Sequence, residues 1–333
     1  MSVTQLCPLS TIYANAMNDC PTLYIVSPCF NEQEVLPETN RQLTALLKQM
    51  IADGAISASS RITYVSDGST DNTWPLICSF ADMSDLVCGI KLAGNSGHQN
   101  ALIAGLSSVK DRCDIMITID ADMQDDISVI PAMVENYRNG CDIVYGVRNK
   151  RQSDTFFKRT SAQAFYHIMR KLGVKTIYNH ADYRLMSRRA VCQLLQYNER
   201  NIFLRGIVPL IGYKTARVYY DRSERQAGTS KYPFSKMANF AIDGITSFSI
   251  KPVRLVLSLG LTFLVIALCI LVYVLYSYFS GRAVSGWSSM ILSIWIVGGF
   301  ILIGLGVVGE YIGKIYIEVK NRPRYNIEET ILK

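Results

Sequence analysis

The sequence predicts an α/β protein whose mostly parallel sheet is followed by juxtamembrane amphipathic helices and two transmembrane α-helices. Two observations carry that prediction. Short β-rich runs alternate with helix-like segments through the first 150 residues, the pattern of a parallel sheet covered by helices. From Leu255 to Phe279 there are 25 residues without a charge, and a bilayer core roughly 30 Å thick needs about 20 residues of helix.

The elements follow in order. Leu23–Ser27, Ile62–Val65, Val87–Leu92, Ile115–Ile119 and Ile143–Tyr145 read as strands. Between them Glu34–Ala52, Asn72–Ala81, Gly97–Val109 and Ser128–Asn139 read as helices. A second uncharged run, from Ser285 through Trp287 to Gly309, is closed by Glu310. Ser280 to Val284 is long enough only for a hairpin between the spans. Lys231, Lys236, Lys251 and Arg254 precede the first span and Lys314, Lys320, Arg322 and Arg324 follow the second, whereas the hairpin carries only Arg282. Basic residues mark the cytoplasmic side, so both termini and the sheet domain are expected there. In Lys236–Pro252 the residues Met237, Phe240, Ile242, Ile245, Phe248 and Ile250 recur mostly at helical intervals, which suits a helix lying in the membrane interface and equally a packed core helix. The expected organisation is a flexible lead-in at 1–20, a cytoplasmic sheet domain at 21–232, a juxtamembrane region at 233–253, spans at 254–279 and 285–309, and a cytoplasmic tail at 310–333.

Composition narrows the function classes. The first 20 residues hold no Lys, no Arg and no long apolar core, unlike a signal peptide. Nine cysteines are scattered without a C-x-x-C pair, which argues for reduced thiols and against zinc or a disulfide framework. The formal charge of +7 gathers beside the spans, so anionic lipid headgroups are expected rather than nucleic acid.

The polar clusters sit behind strands, where ligands bind in such sheets. Pro28-Cys29-Phe30-Asn31-Glu32 follows the first, Ser66-Asp67-Gly68-Ser69 the second, and Asp120-Ala121-Asp122-Met123-Gln124 the run Ile115–Ile119. Each by itself is also ordinary turn or cap chemistry. Three at successive strand ends point to one site for a nucleotide diphosphate, with Asp120 and Asp122 as oxygen ligands to Mg²⁺ or Mn²⁺. Such ions keep coordination positions for substrate phosphates. Neither a P-loop nor a G-x-G-x-x-G fingerprint is present. The stretch Lys91 to Gln99 instead supplies a glycine-bearing loop feeding a helix, whose N-terminus could face an anion or simply begin a helix.

With Pro28-x-x-Asn31-Glu32, Ser66-Asp67-Gly68-Ser69 and Asp120-Ala121-Asp122-Met123-Gln124-Asp125 in that order, the chain resembles family 2 glycosyltransferases of the GT-A, Rossmann-like fold. His180 to Arg188, Glu199 to Gly206 and Arg222-x-x-Arg225-x-Ala227-Gly228-x-Ser230-Lys231-Tyr232 narrow the resemblance to polyisoprenyl-phosphate glycosyltransferases. Ala241 to Ser249, Gly309 to Gly313 and Arg322-Pro323-Arg324-Tyr325 extend it to the bactoprenol glucosyltransferases of O-antigen modification.

The resemblance implies inverting transfer of a hexose, glucose foremost, from a UDP-sugar to undecaprenyl phosphate at the bacterial cytoplasmic membrane, by a homo-oligomer, a tetramer. UDP-N-acetylglucosamine is the alternative donor, and a catalytically silent membrane scaffold the alternative of another class. A processive polysaccharide synthase would carry a Q-x-x-R-W element, and Trp74, Trp287 and Trp295 all lie in other contexts. Asp122 and Asp182 become the catalytic candidates. Pro28, Asn31, Glu32, Asp67, Asp120 and Ala121 become nucleotide-binding candidates, with Asp67 on the uridine. Arg205, Arg222, Arg225, Ser230 and Lys231 are the candidates for phosphate and the lipid acceptor. The acceptor is already an anion, because the second pKa of a phosphate monoester is about 6. A dedicated base is therefore dispensable, and Asp182 is expected to orient the acceptor site or a neighbouring arginine. Two departures from the family pattern stand out. Ser66-Asp67 occupies the place of two aspartates, and Asp125-Asp126-Ile127-Ser128 the place of Asp-Pro-Pro-Glu.

Overall fold

Every residue of strand β1 (Leu23–Cys29) is buried, and its neighbours on both sides run parallel to it. These are β2 (Arg61–Ser66) and β4 (Ile115–Thr118). A strand enclosed on both faces has no reason to alternate apolar with polar, which is why it reads as a continuous apolar run. The computed structural model describes residues 20–149, 180–200, 202–221 and 286–333, with isolated positions between 256 and 272. They fall into two compact units, one drawn from Met1–His167, Lys175–Pro233 and Arg322–Lys333, the other from Ile168–Val174 and Phe234–Asn321.

The first unit holds an eight-stranded sheet of order β7-β5-β6-β4-β1-β2-β3-β8, with β3 at Val87–Leu92, β5 at Ile143–Arg148, β6 at His180–Ser187, β7 at Thr215–Tyr220 and β8 at Ile327–Ile331. The pairings make β6 and β8 antiparallel to the other six strands. This is the mostly parallel sheet that the alternation of elements predicts, mixed in direction and Rossmann-like as the resemblance implies. Helices α1 (Leu36–Ala52), α2 (Thr73–Met83), α3 (His98–Val109) and α4 (Ile130–Arg138) fill the crossovers. In α1, Leu36, Leu43, Leu47 and Met50 form the buried stripe. Helix α3 packs so tightly that a Cβ at Gly105 would meet Val26 Cγ1 at 2.4 Å and Val65 Cγ2 at 2.8 Å. Two short helices follow β6, α5 (Arg188–Leu194) and α6 (Leu204–Ile207).

Three strands escape the sequence reading. In β6 buried polar residues break the apolar run, Arg184 among them. β7 exposes every second residue before Tyr220. β8, Ile-Glu-Glu-Thr-Ile, belongs to a stretch that reads as a tail. It pairs antiparallel with β3, and Trp74 Nε1 donates to Glu329 at 3.2 Å while Lys91 Nζ pairs with Glu328 at 3.0 Å. Covering the outer edge of β3 removes a row of unpaired backbone groups.

In the second unit, α7 runs unbroken from Trp287 to Lys320. The helix covers 287–309 and continues past Glu310. That carboxylate stands 4.0 Å from Lys314 one turn on, a pair that favours helix. Within α7, Ile296–Lys320 is long and apolar enough to cross a membrane, with mean hydropathy 1.9. Large side chains such as Ile301, Leu302 and Ile303 lie exposed along it. The juxtamembrane region 233–253 lies outside the described residues. So does the first span, 254–279, apart from isolated helical positions; one of these, Val256, would be 3.2 Å from a Cβ placed on Gly304 of α7.

Candidate active site

Strand direction gathers the site. β1, β2 and β4 all deliver their carboxyl ends to one sheet edge, and the antiparallel β6 delivers its first residues to the same edge. The β4–β6 register pairs Thr118 with Arg184. Two residues beyond Thr118 comes Asp120 and two before Arg184 comes Asp182, and both carboxylates lie within 4 Å of His98 Nε2. Carboxylates 62 positions apart in sequence are thus brought together by the sheet.

On the β1–β2 side the polar clusters build one another. Pro28 lies within β1, opposite Val65. Asn31 adopts φ 54°, a left-handed conformation that asparagine tolerates better than most residues. Its Oδ1 accepts the Thr70 N–H at 2.9 Å. The Glu32 N–H donates to Thr73 Oγ1 at 2.9 Å, and the Asp67 N–H to the Cys29 carbonyl at 2.9 Å. Asp67, 3% exposed, accepts the N–H groups of Ser96 at 2.7 Å and Gly97 at 2.9 Å, one on each oxygen. Burial raises its pKa above the ordinary value, and these two donors oppose that rise. Asp67 therefore pins the loop that starts α3, with one backbone donor on each carboxylate oxygen. Gly68 permits this closeness, because at φ 64° a Cβ would lie 2.5 Å from Asn95 N and from the Gly94 carbonyl carbon.

Behind β4, the Ala121 carbonyl accepts the Thr39 hydroxyl at 2.7 Å, and Asp122 Oδ1 accepts the Gln124 N–H at 3.2 Å across Met123 at φ 53°. Burial raises the pKa of Asp120, His98 opposes, and the carboxylates of Asp182, Asp125 and Asp122 add to the rise. A cation would relieve this crowding of negative charge. Among the described residues no group of three or more His, Cys, Asp or Glu side chains is arranged to hold a metal by itself. Two hard carboxylates with the other positions left open fit Mg²⁺ or Mn²⁺, which complete their shells with water and substrate phosphate.

Asp182 takes the opposite course. Burial works to raise its pKa, yet Arg205 and Arg184, with His98, hold it far below the ordinary carboxylate value. Arg184 Nη2 donates to Oδ1, while Arg205 donates to Oδ2 from Nη2 at 2.9 Å and Nε at 3.3 Å. A carboxylate so paired is a poor proton acceptor and a firm anchor for guanidinium. Buried Asp125 accepts Arg148 Nη2 at 2.8 Å and the Tyr220 hydroxyl at 2.5 Å, which ties the loop after Asp122 to the ends of β5 and β7.

The sheet edge thus joins Asp120, Asp182 and Arg205, with Asn31, Glu32 and Asp67 building the adjoining loops. Arg222, Arg225, Ser230 and Lys231 lie outside the described residues. Sequence reasoning missed His98, whose Nε2 lies 3.4 Å from Asp120 Oδ1 and 3.9 Å from Asp182 Oδ2, and Gln99. The signal was the glycine-bearing loop ahead of α3, which places both residues in the first turn.

The pattern described as glycosyl transferase family 2 matches residues 24–195. The chain is 52% identical over 308 residues to the uncharacterized glycosyltransferase YkoT of Bacillus subtilis (strain 168), covering 92% of this chain and 91% of that one. It is 39% identical over 315 residues to the SfII prophage-derived bactoprenol glucosyl transferase of Shigella flexneri, covering 92% and 97%. Among solved structures, glucosyl-3-phosphoglycerate synthase from Mycobacterium tuberculosis, in complex with Mn²⁺, UDP and glucosyl-3-phosphoglycerate, is 16% identical with a TM-score of 0.44, covering 68% of this chain and 78% of that one.

Proposed function

The chain belongs to glycosyl transferase family 2, and from that premise we propose that it is a membrane-anchored, inverting enzyme that moves glucose from UDP-glucose to undecaprenyl phosphate. The relatives named bactoprenol glucosyl transferase, at 39% identity over nearly their whole length, support the donor sugar and the lipid. The observation that carries the reading is the meeting of a carboxylate pair, Asp120 and Asp122, with the Asp182–Arg205 ion pair at one sheet edge. One half suits a metal-bound diphosphate and the other an incoming anion.

Asp120 and Asp122 would hold Mg²⁺ or Mn²⁺. When bound, the cation supplies positive charge to the departing diphosphate. Asn31, Glu32 and the Asp67-anchored loop shape the nucleotide side. Arg205 keeps about a third of its side chain exposed while paired with Asp182, so it can present a guanidinium edge to a phosphate. Arg222, Arg225, Ser230 and Lys231 are proposed to complete that subsite. The attacking phosphate oxygen needs no deprotonation near pH 7, since its second pKa is about 6. Asp182 accordingly works as a holder of arginine rather than as a base. The exposed apolar surface of α7 supports membrane anchoring, and the uncharged run Leu255–Phe279 supports a second crossing with both termini cytoplasmic.

Membranes containing the protein, incubated with undecaprenyl phosphate and a panel of labelled UDP- and GDP-sugars, test the reading. Glucose is expected to enter the lipid fraction, and EDTA to stop it. Preferential use of UDP-N-acetylglucosamine would overturn the donor assignment, and undiminished transfer in EDTA the metal.

A further inference from the structure

Two consecutive side chains in the first turn of α3 reach different parts of the site. His98 touches the carboxylates of Asp120 and Asp182. Gln99 Oε1 accepts the Leu204 N–H at 2.7 Å, across 105 residues of chain. That N–H opens α6, so it is one of the amides for which a helix offers no internal partner. Leu204 is 2% exposed, which leaves water a poor substitute. On its other side the Leu204 carbonyl accepts Arg184 Nη1 at 3.4 Å. Arg184 reaches on to Asp182, and Asp182 to Arg205, the residue after Leu204. The contacts, with the Leu204–Arg205 peptide bond, close a ring of Leu204, Arg184, Asp182 and Arg205, to which Gln99 is attached at Leu204.

Taking Arg205 to meet the acceptor phosphate, as proposed above, we infer that Gln99 is a positioning residue for the acceptor half of the reaction. It holds the peptide that precedes Arg205, and so sets the guanidinium against Asp182, where about a third of that side chain stays exposed. Helix α3 is itself pinned by Asp67 through Ser96 and Gly97. One helical turn therefore carries the register from the nucleotide-side loops to the acceptor arginine.

Purified full-length protein with UDP-glucose and undecaprenyl phosphate tests this with two variants. Gln99→Met keeps the length and loses the acceptor atom; Gln99→Glu keeps an oxygen there. Gln99→Met is expected to raise the KM for the lipid phosphate about tenfold, as a lost buried hydrogen bond implies, with the KM for UDP-glucose unchanged. Gln99→Glu is expected to recover most of that loss. Amide exchange over residues 202–208 should speed up in Gln99→Met and not in Gln99→Glu. An unchanged lipid KM, or an equal rise in both KM values, would overturn the inference. Absence of any transfer to undecaprenyl phosphate by the unaltered protein would defeat the proposed reaction instead, and the exchange measurement would still decide the hold of Gln99 on the ring: unchanged exchange in Gln99→Met overturns it.

Discussion

Arg205 grips Asp182 through two nitrogens, Nη2 at 2.9 Å and Nε at 3.3 Å, while Arg184 takes the other oxygen of the same carboxylate. The pair exists because β6 runs against β4 and starts where β4 ends. It turns the best-placed candidate for a base into a holder of cations.

The pH dependence of transfer should reflect this. The folded pKa of Asp182 lies well below its ordinary 3.8. Its contribution to stability is therefore fully present above that ordinary value, and is lost as pH falls from there through the folded value. From about pH 5 to 8 Asp182 is not expected to titrate, and in the proposed reaction the acid limb of the rate profile should come from the lipid phosphate, near pH 6. Asp182→Asn should keep the limb in place while lowering the rate. A limb that disappears in Asp182→Asn would mark Asp182 as a base.

The same substitution should lower stability. Arg184 is 1% exposed, and stranding such a charge costs about 3–5 kcal/mol. Chemical denaturation of Asp182→Asn beside the unaltered protein measures it. A difference under about 1 kcal/mol, the range of exposed pairs, would show that the pair is not structural.

Gly68 and Gly54 offer a paired comparison. Both have positive φ, 64° and 67°, but a Cβ at Gly68 strikes backbone at 2.5 Å whereas one at Gly54 meets nothing within 4 Å. Gly54→Ala should cost only the left-handed backbone penalty, about 1–2 kcal/mol. Gly68→Ala should cost clearly more and weaken UDP binding, read by calorimetry. Equal losses at the two sites would contradict the packing of Gly68 on Gly94 and Asn95.

Tyr220→Phe removes the hydroxyl that Asp125 accepts at 2.5 Å and leaves the edge-to-face contact with Tyr183, whose ring centre is 5.4 Å away. Loss of that bond should cost about 1–3 kcal/mol. Activity should fall with it, since the same loop carries Asp122. Unchanged thermal unfolding and turnover in Tyr220→Phe would show that the anchor is dispensable.

Removing residues 327–333 should uncover the edge of β3. Exchange of the amides in Val87–Leu92 is then expected to rise, and Trp74, which donates to Glu329, to change its fluorescence. Neither change occurs if β8 is a passive tail.

Much of this was legible beforehand, for identifiable reasons. Buried parallel strands announce themselves as apolar runs, so β1 to β5 and the clusters behind them could be read directly. β6 could not, because its buried Arg184 and partly buried Asp182 make sense only once β4 lies alongside. β8 could not, because a charged edge strand looks like a solvated tail. The Gln99–Leu204 contact spans 105 residues, and no local pattern announces such a bond. That Asp67 also holds the backbone N–H groups of Ser96 and Gly97 could not be read from the sequence, because 29 and 30 residues separate the partners.

The most direct test is the mass of the lipid made from isotopically labelled UDP-glucose and undecaprenyl phosphate, with the unaltered protein and with Asp122→Ala. The proposed reaction gives a labelled hexosyl undecaprenyl monophosphate with the unaltered protein, and about 100-fold less or lower still with Asp122→Ala, the scale of losing an electrostatic stabiliser of the transition state. Undiminished product from Asp122→Ala, or no labelled lipid from the unaltered protein, would contradict it.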